Sequence, residues 1–524
     1  MRRPAIRPHL LPVLVLVLFA LVSGCSGSGS SSSDDPAPTA KGNSTTIRVL
    51  ASSELSDMAP VLDAAREATG VTVKATWSGT LDAVEQVVSG KADGVYDAVW
   101  LSSNDYLRLR PGIGGKISSE TPVMTSPVAL GVRNEAVKRL GWQPARVTWT
   151  QVHRAVADGK LTYGMTDPVR SNSGFSALIS VASGLSGAQS ALTDADVRRA
   201  TPRLKEFFAG QQLTSGSSGW LAAAYERRGT VDALVNYESV LLSMKGLTVI
   251  RPSDGVVTAD YPFTLLTSAP QKAREAGRAL TEYLRSPEAQ RAITEKTLRR
   301  PVVAGVRPAA ALDAAPRREL PFPGTRSVAD GLLDAYENKL RRPSRTVYVL
   351  DTSGSMKGDR LTRLKAAFTE LTEEFRDREE VTLMPFGSTV KQVRTHTVDP
   401  ASPTTALAAI RADAGALTAD GGTAIYSSLE EAYKRLGAAD SSETFTSVVL
   451  MTDGANTEGI SSRAFEAFYR RLPAERRHTP VFPILFGDSD RTELSDIAAL
   501  TGGRLFDATK GSLDGAFEEI RGYQ

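Results

Sequence analysis

Short apolar runs alternate with amphipathic stretches along most of this chain, in two successive series. Residues 46–50, 71–75 and 97–101 read as strands, and each runs into a hydroxyl-rich loop: Ser52-Ser53, Ser78-Gly79-Thr80 and Ser102-Ser103. Leu55, Met58, Ala59, Leu62 and Ala65 share a helical spacing that predicts a helix over 56–69, ended by Gly70, and a second is expected over 81–88. The same grammar returns at 161–165 before Asp167 to Gly174, at 233–235 before Asn236 to Ser239, and in helices over 271–284 and 288–295. Strand, loop and helix in repetition predict a parallel sheet with crossover helices.

A second series begins at Arg345. The β-branched run 346–350 ends abruptly in Asp351-Thr352-Ser353-Gly354-Ser355, and Leu361, Leu364, Phe368, Leu371 and Phe375 mark the core face of the next helix. Strands are expected at 381–386, at 391–398 as an edge, at 447–451 as a fully apolar central strand, and at 481–486 and 504–506. Helices are expected between them, over 404–417, 426–436, 463–472, 494–500 and 513–520, which predicts a doubly wound sheet. Between the two series, 309–323 is rich in Ala, Pro and Arg and reads as a linker. A helix over 327–340, with Leu332, Leu333, Tyr336 and Leu340 on one face, is expected to pack at the joint.

Composition narrows the class. A chain of 524 residues needs more than one core, and 41% hydrophobic with 23% charged residues supplies them. The net charge of +3 is close to balance, and no Lys/Arg block with interleaved aromatics appears, so no nucleic-acid partner is expected. The amino terminus is basic, with an apolar run at 10–22 that suits a signal-peptide core better than a membrane span. Cys25 follows Val22-Ser23-Gly24 and is the only cysteine, so it has no disulfide to make. A Ser/Gly-rich tether follows it. The expected organisation is a signal peptide over 1–24, a tether over 25–46, a first globular region over 47–306, a linker and joint helix over 307–344, and a second globular region over 345–524.

Enzyme signatures are missing from the sequence. There is no Gly-x-x-x-x-Gly-Lys-Ser/Thr loop, no His-Glu-x-x-His and no Gly-x-Ser-x-Gly, and the four histidines are scattered, so no catalytic role is expected. What the loops do offer is oxygen. Ser and Thr hydroxyls beside free N–H groups at helix starts suit a small anion or carboxylate, although the same residues are common helix caps, and Glu238 would repel an anion. The stretch Asp351 to Ser355 joins one carboxylate to two hydroxyls at a strand end, the chemistry of a hard cation.

Three resemblances follow from these residues. Val22-Ser23-Gly24-Cys25 resembles the lipobox of bacterial lipoproteins, which implies a lipid anchor on Cys25 and a chain held on the extracytoplasmic face of the membrane. The order of elements in the first region resembles the type II solute-binding proteins of ABC transporters. That implies two α/β lobes around a cleft, with ligand contacts at Ser52, Ser53, Ser78, Gly79, Thr80, Ser126, Ser171, Ser173, Asn236 and Tyr237. Asp351-x-Ser353-x-Ser355, Thr423 behind a double glycine and Asp453 before a glycine resemble the metal-ion-dependent adhesion site of von Willebrand factor A domains. This last implies bound Mg²⁺, with Mn²⁺ or Ca²⁺ as alternatives, and an acidic residue of a protein partner at its open position. The function expected is therefore that of a lipid-anchored binding protein that holds a protein partner through Mg²⁺. The alternatives are the solute receptor of an ABC importer, taking a small oxyanion or another small solute, and a cell-envelope assembly scaffold.

Overall fold

The first series folds into two lobes, each around its own sheet. The structure, a computed structural model, describes residues 45–524 except 230, 437–443, 475, 510–512, 522 and 524. The leader, Cys25 and nearly all of the tether lie outside the described residues. The strands of the first region are Thr45–Ser52 (β1), Val71–Ser78 (β2), Ala98–Trp100 (β3), Ile117–Pro122 (β4), Ser126–Arg133 (β5), Tyr163–Thr166 (β6), Gln211–Ser215 (β7), Ala233–Tyr237 (β8), Leu247–Ile250 (β9), Thr258–Ala259 (β10) and Pro262–Leu266 (β11). Lobe 1 has the order β2-β1-β3-β11-β4, and lobe 2 the order β10-β5-β8-β6-β7 with β9 beside β5. In each sheet one strand runs antiparallel to its neighbours: β11 between β3 and β4, and β5 between β10 and β8. The chain crosses between lobes after β4 and returns after β10. Tyr261, in the return crossing, is held at a positive φ of 43°.

The helix expected over 56–69 is split. A 3-10 turn, Ser53–Met58, precedes the α-helix Ala59–Thr69, because Pro60 has no N–H to give and fits only the first turn. The joint helix is likewise shorter than expected: it is α-helical over Arg326–Ala335 and then widens into a π turn, Tyr336–Leu340. That widening accompanies the burial of Tyr336, whose ring meets Phe208 of lobe 2 edge-on at 5.0 Å.

The expected linker is docked. Leu320 is buried against Gly255, and Glu319 accepts hydrogen bonds from the Thr258 N–H (2.7 Å) and hydroxyl (2.5 Å). The segment thus makes a third connection across the lobes, since Arg300 pairs with Thr125 and Glu319 with Val256.

In the second region the strands are Ser344–Asp351 (β12), Glu380–Phe386 (β13), Arg394–Thr397 (β14), Phe445–Thr452 (β15), Val481–Leu485 (β16) and Phe506–Asp507 (β17), in the order β14-β13-β12-β15-β16-β17. All pairings are parallel except β14, a short antiparallel edge. The strand order reverses between β12 and β15, the place where a doubly wound sheet opens a crevice at its carboxyl ends.

The two regions meet at the other end of that sheet. Glu379, 1% exposed beside the start of β13, binds Arg341 of the joint and Arg521 of the last helix. Burial pushes its carboxyl up, but the two guanidinium groups outweigh that and hold it below the usual range. Arg376 pairs with Glu337, and the Arg504 guanidinium lies 4.1 Å from the centre of the Trp220 ring of lobe 2.

Candidate metal site and solute cleft

β12 and β15 are neighbours, with Leu350 beside Met451, so the residues that end them share one edge. Asp351 is fully buried: one carboxylate oxygen accepts the Ser353 N–H at 2.8 Å and the other the Thr452 hydroxyl at 2.5 Å. The hydroxyls of Ser353 and Ser355 lie 2.9 Å apart, and Ser355 donates to Asp453 at 2.8 Å. A third loop is held against this one by Gly354 N–H to Gly421 carbonyl (2.8 Å) and Asp420 N–H to Thr352 carbonyl (2.9 Å), which brings Thr423 to the same edge. Ser355 is exposed, so the cluster opens to solvent there.

Four of the five predicted residues are thus joined in one chain of hydrogen bonds, and the fifth stands beside them. Burial pushes the Asp351 carboxyl up, and the charge of Asp453 adds to this. Two further partners carry no motif. Arg360, from the first turn of the helix Asp359–Leu371, donates to Asp453 at 2.6 Å and to Asp488 at 2.6 Å. Glu458 packs against Gly422 next to Thr423. Among the described residues no group of three His, Cys, Asp or Glu side chains forms a metal cluster, so any ion here would depend on the hydroxyls. Two carboxylates and three hydroxyls, without sulfur or imidazole, fit a hard dication that keeps part of its hydration shell.

In the first region the predicted residues gather where the lobes face each other, but they bond to one another. The Ser52 hydroxyl lies 2.9 Å from that of Thr80, and Ser102 lies 3.1 Å from each. From lobe 2, Ser173 contacts Thr166 (2.7 Å), Ser171 (3.2 Å) and Ser218 (2.7 Å), while Tyr237 accepts from Asn172 at 3.0 Å. Two of the helix-start N–H groups expected to be free are taken: Leu81 N–H reaches the Arg170 carbonyl at 3.0 Å, and Gly219 N–H reaches the Ser53 hydroxyl at 3.4 Å. Gly79 is a glycine because any Cβ there would come within 2.5 Å of the same Arg170 carbonyl.

Other predicted contacts turn inward. Ser126 accepts the Ser239 N–H at 3.1 Å, a capping role, and Asn236 donates to the Ser218 carbonyl at 3.0 Å. Ser78 stands beside Ser52 at the end of β2. Glu238 does not stand as a repelling charge, because Arg300 grips it with bonds of 2.8 and 2.9 Å and Arg251 joins them. Ser217-Ser218-Gly219 belong to this wall although the sequence offers only hydroxyl content as a signal.

Residues 47–299 match the family model of bacterial extracellular solute-binding protein, and residues 344–506 match that of von Willebrand factor type A domain. Each model matches one part of this chain. Among solved structures, the periplasmic binding protein AfuA of Actinobacillus pleuropneumoniae is 13% identical, with 56% of this chain and 98% of that one covered at a TM-score of 0.47. The sulfate-binding protein SubI of Mycobacterium tuberculosis H37Rv is 18% identical over 56% and 99%, at 0.42. The ferric binding protein of Campylobacter jejuni is 14% identical over 55% and 97%, at 0.41. No curated protein matches the chain. The solute-binding region and the A domain together account for the two-domain α/β architecture, and an extracellular solute-binding domain implies an extracytoplasmic location. No helix among the described residues is long and apolar enough to cross a membrane.

Proposed function

We propose that the chain is a lipid-anchored extracytoplasmic binding protein that uses the A domain's carboxyl edge, loaded with Mg²⁺, to hold a protein partner. The observation that carries this reading is the convergence of Asp351, Ser353, Ser355 and Asp453 into one hydrogen-bonded cluster, with Thr423 on the adjoining loop. Ser353, Ser355 and Thr423 would hold the ion, with Asp351 and Asp453 behind them, and the ion would supply an electrophilic position for a carboxylate. The residues of this chain do the rest. Thr452 and the Ser353 N–H orient Asp351, and Arg360 fixes Asp453 by its outer oxygen, which leaves the serine-facing oxygen turned into the cluster. The solute-binding region faces the opposite end of the sheet and leaves this edge clear.

The test is metal-dependent stability and capture with the full chain. Saturating Mg²⁺ at about 100 times its Kd should add about 2.7 kcal/mol to unfolding, and Asp351→Ala should abolish the gain. Envelope proteins retained in Mg²⁺ should be released by EDTA and should not be retained by Asp351→Ala. Equal retention with and without EDTA sinks the metal role.

A second reading, solute receptor of an importer, is favoured by the polar cleft between two hinged lobes. It is compatible with the first, because the two sites lie on different parts of the fold.

A further inference from the structure

Within the hydroxyl ring of the cleft sits one charged side chain that no motif marks. Glu54, 6% exposed, follows the predicted pair Ser52-Ser53 and accepts the Ser102 hydroxyl at 2.7 Å. Ser102 also closes a triangle of hydroxyl oxygens with Ser52 and Thr80, with edges of 2.9, 3.1 and 3.1 Å. Hydroxyls do not discriminate by sign, since they donate to an anion and accept from a cation equally well. The charge among them decides, and it is negative.

The nearest guanidinium does not reverse that sign. Arg299 is fully buried, gives one nitrogen to both oxygens of Asp57 at 2.8 Å, gives another to the Glu54 backbone carbonyl at 3.1 Å, and lies 4.9 Å from the centre of the Tyr261 ring. Its bonds go to the Asp57 carboxylate and the Glu54 backbone, and none of them reaches the Glu54 carboxylate itself. Two backbone donors that could serve an oxyanion, the N–H groups of Leu81 and Gly219, are spent on the Arg170 carbonyl and the Ser53 hydroxyl. Burial pushes the Glu54 carboxyl up, with the Ser102 hydroxyl and, more weakly, the Arg299 charge opposing. Tyr237 and Tyr261, whose ring centres are 5.7 Å apart, add aromatic surface beside it. An ammonium group carries three N–H donors and a positive charge, so it suits three hydroxyl acceptors, a carboxylate and aromatic rings.

We infer that the cleft takes a small ammonium-bearing solute, with Glu54 as its counter-charge and the Ser52–Thr80–Ser102 triangle accepting its N–H groups. This rests on the solute-receptor reading and is independent of the metal edge. It also replaces the oxyanion as the solute to be looked for.

The experiment is calorimetric titration of the full chain with ethanolamine, putrescine and spermidine, and separately with sodium sulfate, molybdate and phosphate. At least one amine is expected to bind saturably and none of the three oxyanions to bind. Glu54→Gln keeps the side-chain size and an acceptor for Ser102, and it should weaken the amine by about tenfold or more, while its thermal melt stays cooperative. Glu54→Asp should recover part of the loss, which a purely structural glutamate would not require. Oxyanion binding by the unaltered chain, or amine binding unchanged in Glu54→Gln, overturns the inference while the receptor reading stands. Silence to both classes of solute overturns the inference and the receptor reading together and leaves the metal edge untouched.

Discussion

The two sites are built from the same materials and end up in opposite states. Each places serine and threonine hydroxyls around a buried carboxylate at the carboxyl ends of parallel strands: Asp351 and Asp453 in the A domain, Glu54 in lobe 1. In the A domain none of the described residues of the solute-binding region closes over the edge, because that region docks at the far end of the sheet, around Glu379 and Trp220. In the first region lobe 2 is pressed against lobe 1, and the hydroxyls and N–H groups find partners within the protein. Residue type therefore selects the kind of chemistry, and the surrounding topology decides whether the groups are open to a second molecule.

That contrast can be broken at three points, in order of expected effect. Glu379→Ala removes the counter-charge of the buried Arg521 and the half-buried Arg341 at the seam and should cost about 3–5 kcal/mol. Denaturant unfolding should then split into separate transitions for the two regions, and a single undiminished transition would show that the seam does not join them. Gly79→Ala drives a methyl group into the Arg170 carbonyl and should cost about 1–3 kcal/mol in thermal unfolding. Gly454→Ala, at the open A-domain edge, finds nothing within 4 Å and should be near neutral. Equal effects of the two changes would erase the difference between a closed and an open site.

A further effect concerns pH at the hinge. Burial, with the Asp105 charge adding and Arg108 opposing, pushes the Asp260 carboxyl up to about 6. A raised acid means that the folded chain holds a proton that the unfolded chain has released, so stability should fall as pH rises from about 4 to about 6 and level off above that. Asp260→Asn should flatten that slope: its melting temperature should equal the parent's near pH 4 and exceed it at pH 7.5. A parallel slope in both proteins would assign the dependence to another group.

The A domain is almost fully legible in its sequence. Its strands are apolar runs, two of which end in conspicuous carboxylates; four site residues sit at those strand ends and Thr423 in the loop between the helices Pro403–Gly415 and Ile425–Leu436, so local pattern carries most of the information. Lobe 2 is much less so. The strand Ser126–Arg133 contains Pro127 and Gly131, which read as breaks, yet Gly131 is there because a Cβ would strike Leu241 at 2.7 Å. The helix Asp194–Ala209 has Pro202 in its interior, which reads as a break, although Ala200, Leu204, Phe207 and Phe208 keep a helical spacing on its buried face. Glu54 and Arg360 cannot be singled out by spacing, since their roles depend on residues 48 and 93 positions away. Glu238 misleads for the same reason: the arginines that neutralise it come from 251 and 300.

The docked linker carries a kinetic consequence. A two-lobed receptor with two crossings opens by bending them, but here the chain also spans the outside of the joint. Glu319 is bound to Thr258, and the Tyr106 hydroxyl of lobe 1 donates to Asp330 of the joint helix at 2.8 Å. Each opening forfeits some of these contacts before anything can leave, so the linker acts on the dissociation rate more than on the affinity. On the solute-receptor reading, a chain strapped in this way should exchange its solute slowly, which suits retention or sensing better than rapid hand-off.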